Sequence, residues 1–150
     1  VSASPMNCPM ASNPDRAGYR GYNASRPFMG ERAAQHVQNI IISKYAERQK
    51  LHYLLSATEY SMPNCYMILE QLLGYLAQLE GLICYSLFML PTQSAEREAI
   101  YRAVIEADAS MHFAVEGLVL QSGQDIERME ALWLMRNILP HCPRELPGWN

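Results

Sequence analysis

The chain has 150 residues, of which 49% are hydrophobic and 18% charged, with a formal net charge of −3. That length and apolar content exclude disorder for most of the chain and suit one domain with its own core. The slightly acidic balance, without Lys/Arg runs, argues against a nucleic-acid partner, and no apolar stretch approaches the roughly 18 residues that cross a membrane.

No apolar h-region of a signal peptide opens the chain. Cys8, Cys65, Cys84 and Cys142 are too scattered for a disulfide framework or a paired-cysteine zinc site, so a cytoplasmic location is expected. In chain order, residues 1–17 carry Pro5, Pro9 and Pro14 without periodicity and read as a flexible arm. A short strand is expected over 20–25. After a turn at Pro27–Gly30 comes a helix over 31–50, with Ala33, Val37, Ile40, Ile41 and Lys44/Tyr45 on one stripe. Residues 51–58 read as a second strand. Ser61, Pro63 and Asn64 then supply helix-start chemistry for 66–79. The segment 81–89 is almost continuously apolar, as a central strand covered on both faces would be. Pro91 stops it, and 94–107 is an amphipathic helix. A fourth strand is expected over 111–120, followed by a helix to 139. Residues 140–150, with Pro140, Pro143 and Pro147, read as an irregular tail that Trp149 pins to a surface.

Four consecutive βα units joined by short links imply a parallel sheet with helices on both faces. The expectation is one domain over 18–139 with a flavodoxin-like three-layer α/β/α fold and a four-stranded parallel sheet. Such folds bind ligands beyond the carboxyl ends of their strands. That rim gathers Ser25 and Arg26 from the first strand and Thr58, Glu59 and Tyr60 from the second. The third supplies Tyr85 and Ser86, the fourth Glu116, and the start of the first helix Gln35, His36, Gln38 and Asn39. Gln35 and Asn39, four apart, share a helical face. So many hydroxyls and amides suit a polyhydroxylated ligand.

Each of these residues also has a plainer reading. Arg26 either holds a phosphate or carboxylate beside the helix start or forms a surface ion pair with Glu31. Glu59 ends an apolar strand, where partial shielding from water suits a general base or acid; otherwise it is a solvated loop carboxylate. Ser25 is a ligand hydrogen-bonder, or a nucleophile if a base lies within reach. His36 faces the rim or the solvent. Cys65 at a helix start is a reactive or a packed thiol. His112 and Glu116 share a face of the fourth strand but stand about 13 Å apart by strand rise, too far to share a metal. There is no GxGxxG, GxxxxGK[ST] or HExxH pattern, so acid–base chemistry without cofactor or metal is expected.

The run from Gly21-Tyr22 through Ser25-Arg26-Pro27-Phe28, and then Gln35-His36-Val37-Gln38-Asn39, resembles the "sporadic carbohydrate cluster" family of small bacterial proteins. The resemblance continues through Leu55-Ser56-Ala57-Thr58-Glu59-Tyr60, Asn64-Cys65-Tyr66-Met67, Tyr85 to Pro91 and His112 to Glu116. It implies a role in surface-polysaccharide or related sugar metabolism. The layout also resembles a shortened serine-recombinase catalytic domain, in which one strand ends in a nucleophilic serine and a later one in glutamate. Asn23 stands two before Ser25 where that pattern has arginine, and no helix-turn-helix pattern follows Leu139, so DNA strand exchange is not expected.

The functional expectation is therefore a cofactor-independent lyase (dehydratase) or isomerase acting on a sugar or nucleoside. Glu59 would be the base and His36 or Tyr60 the acid, with Ser25 in the catalytic set. Arg26, Gln35, Asn39, Ser56, Thr58, Tyr85, Ser86 and Glu116 would hold the substrate. The partners expected are a small sugar or nucleoside, no nucleic acid, no membrane, and further copies of the same chain in a homo-oligomer. The alternatives are a non-catalytic sugar- or nucleotide-binding module, a scaffold, and a DNA-acting resolvase relative.

Overall fold

A computed structural model describes residues 16–25, 33–62 and 64–138. Its elements are β1 (Tyr19–Ala24), α1 (Gln35–Gln49), β2 (Tyr53–Glu59), α2 (Met67–Gly74), β3 (Gly81–Cys84), α3 (Ser94–Glu106), β4 (Ser110–Phe113), β5 (Leu118–Leu120) and α4 (Gly123–Ile138). Single 3₁₀ turns follow α2 at Leu76–Gln78 and β3 at Leu87–Met89. Among the described residues, no helix is long and apolar enough to cross a membrane.

The sheet order is β2-β1-β3-β4-β5. β1 is parallel to β2 and β3, and β3 is parallel to β4, while β4 and β5 run antiparallel. The sheet is thus five-stranded and mixed, not four-stranded and parallel. The difference arises at residues 114–117, where one long strand was expected. Gly117 takes a left-handed φ of 68° and returns its amide to Phe113 O at 2.8 Å, closing a hairpin. Glu116 therefore sits in a turn instead of sharing a strand face with His112. Other bounds move for equally local reasons. Ser86 Oγ accepts the Phe88 amide and winds residues 87–89 into a 3₁₀ turn, which ends β3 at Cys84.

The chain runs from β1 outward to β2 and then back across to β3 and β4. Right-handed crossovers in opposite directions place their helices on opposite faces. α1 alone covers one face, packing Ile42, Tyr45 and Ala46 on Ile83 and Ala114. α2, α3 and α4 cover the other, around Tyr22, Leu69, Leu82, Tyr101, Phe113 and Trp133. The three layers are as expected, although the inward stripe of α1 is Gln38, Ile42, Tyr45 and Ala46, with Val37 and Ile40 exposed.

Arg16 and Ala17 belong to the folded body, not to an arm. Arg16 donates to the carbonyls of Asp108 (2.9 Å) and Ala107 (2.6 Å), and the Ala17 amide donates to Gln78 O at 2.8 Å. The remainder of the expected arm, the Pro27–Gly30 turn, Arg26 and the tail with Trp149 lie outside the described residues.

Candidate functional site

The parallel register brings the strand ends to one edge: Ala24 lies beside Glu59, Tyr22 beside Cys84, and Cys84 beside Phe113. Side-chain alternation then sorts the edge into two faces. Tyr22, Ala24 and Glu59 turn toward α2, whereas Asn23 turns toward α1, where its amide donates to Asn39 Oδ1 at 2.6 Å.

On the α1 side, Ser25 shares a cavity of about 620 Å³ with Ala33, Ala34, Gln35 and His36. Ala34 is the N-cap of α1, and among the described residues no side chain caps that helix end. Ser25 is half-buried, while Gln35 and His36 are exposed. A hydroxyl, an imidazole and an uncapped helix start together suit an anion, because the first-turn amides point outward and the helix dipole is positive there.

Glu59 has another place. It is 2% exposed, and its two carboxylate oxygens accept Tyr22 Oη (2.8 Å) and the amides of Ile68 (2.9 Å), Leu69 (3.1 Å) and Tyr60 (3.3 Å). Cys65 Sγ adds a contact at 3.8 Å. The residue read as the catalytic base is instead the anion that anchors the start of α2 to β1 and β2. Replacing Glu59 with Gln should cost about 2 kcal/mol, since a neutral amide turns one acceptor into a donor facing N–H groups. The urea midpoint of the variant is the readout, and an unchanged midpoint would contradict the anchor role.

Ser86 and Glu116 form a third set. Glu116 accepts Ser86 Oγ at 2.8 Å and the Leu87 amide at 2.9 Å, joining the β4–β5 turn to the segment after β3. Tyr85 is half-buried against both core clusters. Ser56 is bonded to Tyr53 Oη and lines a separate groove with Asn39 and Lys44. Thr58 and Tyr60 are exposed. Thus Ser25, Gln35 and His36 come together in one cavity, whereas Glu59 and the Ser86–Glu116 pair are engaged in hydrogen bonds of the framework. Among the described residues no group of three His, Cys, Asp or Glu side chains gathers as a metal set.

From sequence Gln38 is a rim amide without an assigned role. Its side chain is fully buried and bonds both polar backbone atoms of Ala24, the residue before Ser25. Its spacing, four before Ile42 and seven before Tyr45, places it on the inward stripe of α1.

No protein-family model matches the sequence, so the carbohydrate-cluster resemblance finds no support there, and no curated protein matches it. Among solved structures the chain is similar to a resolvase family site-specific recombinase from Streptococcus pneumoniae. That likeness has a TM-score of 0.55 and 6% identity, covering 82% of this chain and 91% of the other. It is also similar to the N-terminal catalytic domain of TP901-1 integrase, with a TM-score of 0.54 and 12% identity, covering 80% and 98%. At these identities the likeness concerns the fold, which is resolvase-like. It corrects the functional expectation. The solved neighbours are site-specific recombinase catalytic domains, not sugar- or nucleoside-modifying enzymes, so the lyase reading, the small-molecule substrate and the exclusion of nucleic acid are withdrawn.

Net charge is in any case a weak ground for excluding a nucleic-acid partner, because it averages over the chain. Residues 16–50 hold seven of the twelve basic residues and two of the fifteen acidic ones, so the −3 balance conceals a basic stretch that includes the whole Ser25 region.

Proposed function

We propose that this domain binds nucleic acid through its phosphates and presents Ser25 Oγ to phosphorus. The carrying observation is the cavity shared by Ser25 and the uncapped first turn of α1, within the basic stretch of the chain. The resolvase-like fold supports the reading, because the similar solved structures are site-specific recombinase catalytic domains. In this reading the α1 amides hold a non-bridging phosphate oxygen. Ser25 Oγ forms a new O–P bond as the bond to the leaving nucleoside oxygen breaks, so the number of phosphate ester bonds is conserved. His36, on the same cavity wall, takes the serine proton, and the leaving nucleoside oxygen takes one from solvent. Asn23, neutral and tied to Asn39, adds no positive charge, which leaves the electrostatic work to α1 and the basic stretch.

Mobility shifts with single- and double-stranded DNA test the proposal. Retardation is expected at about 50 mM salt and should be largely lost by about 200 mM, as for any phosphate-dominated contact. Ser25→Ala should keep the shift but lose a protein–DNA adduct that survives denaturing electrophoresis. No retardation of either DNA form at low salt would overturn the reading.

A further inference from the structure

We infer that Gln38 is the positioning residue of the Ser25 site: its amide stands in for a missing strand and holds Ser25 against the start of α1. The inference rests on the reading of Ser25 as the functional centre and concerns how that centre is built.

The argument begins with the sheet. Successive residues of a parallel strand direct their N–H and C=O pairs alternately to the two neighbouring strands. Tyr22 pairs toward β3, since its carbonyl accepts the Tyr85 amide. Ala24, two residues on, points its N–H and C=O the same way. β3 has already ended at Cys84, where the chain turns into the 87–89 segment, so no strand lies opposite Ala24. Gln38 fills that ladder position. Its Oε1 accepts the Ala24 amide at 3.1 Å, and its Nε2 donates to Ala24 O at 2.5 Å. The same Nε2 donates to Ala33 O at 2.8 Å, just before the N-cap of α1. One side chain, 0% exposed, therefore ties the end of β1, the approach to α1 and α1 itself into one unit. Ser25 is the next residue after the clamped Ala24, and the cavity wall opposite it begins at the clamped Ala33.

An ordinary buried polar residue would only complete hydrogen bonds. Gln38 also sets where residue 25 sits relative to the α1 amides, and that placement can be measured without nucleic acid. Ser25→Cys, made in a background carrying Cys8→Ser and Cys142→Ser, places a thiol at the site, while Cys65 and Cys84 remain buried. A helix start lowers the pKa of a neighbouring thiol. The introduced thiol should therefore titrate below an ordinary thiol, and adding Gln38→Leu should return it to the ordinary range. The alkylation rate at pH 7 should fall by about fivefold as the thiolate fraction drops.

A merely structural role would lower the melting temperature and leave the thiol titration where it was; that result overturns the assignment. An ordinary thiol titration in both backgrounds overturns it as well. Should Gln38→Leu fail to fold, the Ala24 amide of the unaltered protein decides. Slow hydrogen exchange supports the clamp, and exchange at the free-peptide rate overturns it. Because these readouts need no DNA, a failure of nucleic-acid binding is distinguishable from a failure of the Gln38 assignment.

Discussion

Glu130→Gln is expected to lower the unfolding free energy by about 2 kcal/mol, below the cost of breaking a fully buried ion pair because the Glu130 side chain is 30% exposed. Arg97 lies on α3 with only 5% of its side chain exposed. Its Nε and Nη2 meet the two oxygens of Glu130 on α4 at 2.8 Å each, a bidentate fork. Its Nη1 donates to the carbonyls of Pro91 (3.1 Å) and Thr92 (2.8 Å), and its guanidinium lies 4.1 Å from the centre of the Trp133 ring. Tyr101 Oη adds a hydrogen bond to Glu130 at 3.0 Å. This cluster joins α3, α4 and the turn after β3, so its loss should affect the whole domain.

The hydrogen bonds from Arg97 hold the Glu130 carboxyl below its ordinary value, with burial acting in the opposite direction. Its contribution to stability is therefore present above the ordinary carboxyl range and lost as pH falls through the lowered value. Urea unfolding at pH 7 measures the loss. The double variant Arg97→Met/Glu130→Leu should recover more than half of it, because no unpaired charge then remains buried. An m-value that stays constant would show that the effect is on stability rather than on compactness.

Acidification from pH 7 to 4 should remove about 3 kcal/mol through His112 alone. Burial pushes its imidazole down from 6.5 to about 4. The unfolded chain therefore binds the proton first, and stability rises with pH between those two values. The folded contribution is complete above the unfolded value and is lost as pH falls toward the folded one.

The surroundings explain the size of the effect. Nδ1 lies 2.7 Å from Tyr45 Oη and Nε2 lies 3.2 Å from Ser110 Oγ, while the rings of Tyr19 and Tyr45 stand edge-on to the imidazole. None of these contacts is a carboxylate that would welcome the charge, and burial also raises the pKa of Tyr45, keeping its phenol neutral. Since carboxylates elsewhere titrate in the same window, the measurement is a difference. The pH slope of stability for the wild-type chain, less that for His112→Gln, should be positive between pH 4 and 6.5. Equal slopes would contradict the assignment.

The same residues show how far sequence reasoning reaches. α3 was expected over 94–107 and found at Ser94–Glu106, because Pro91 and a clear apolar stripe delimit it locally. The alternation of strands and helices and the three layers followed from pattern as well. Within the site, Ser25, Gln35 and His36 were legible as neighbours because a strand end leads directly into a helix start. Glu59 was misread because a carboxylate ending an apolar strand looks the same in sequence whether it meets a ligand or the amides of the next helix. Gln38 was legible as a rim amide but not as a clamp, because its partner is the backbone of Ala24, fourteen residues earlier, left open only where β3 stops short.

By itself the sequence determined those features that depend on neighbours along the chain: element type, approximate bounds, an apolar core and a serine placed between strand and helix. Periodicity and the Pro/Gly punctuation act over a few residues, and so they are visible in order alone. Tertiary structure decided the fifth strand, the two-faced sorting of the strand ends, the saturation of Glu59 and the clamp at Gln38. Each of these depends on which polar group is left unpaired when distant segments meet, and a buried donor or acceptor must find its partner in space whatever its position in the chain.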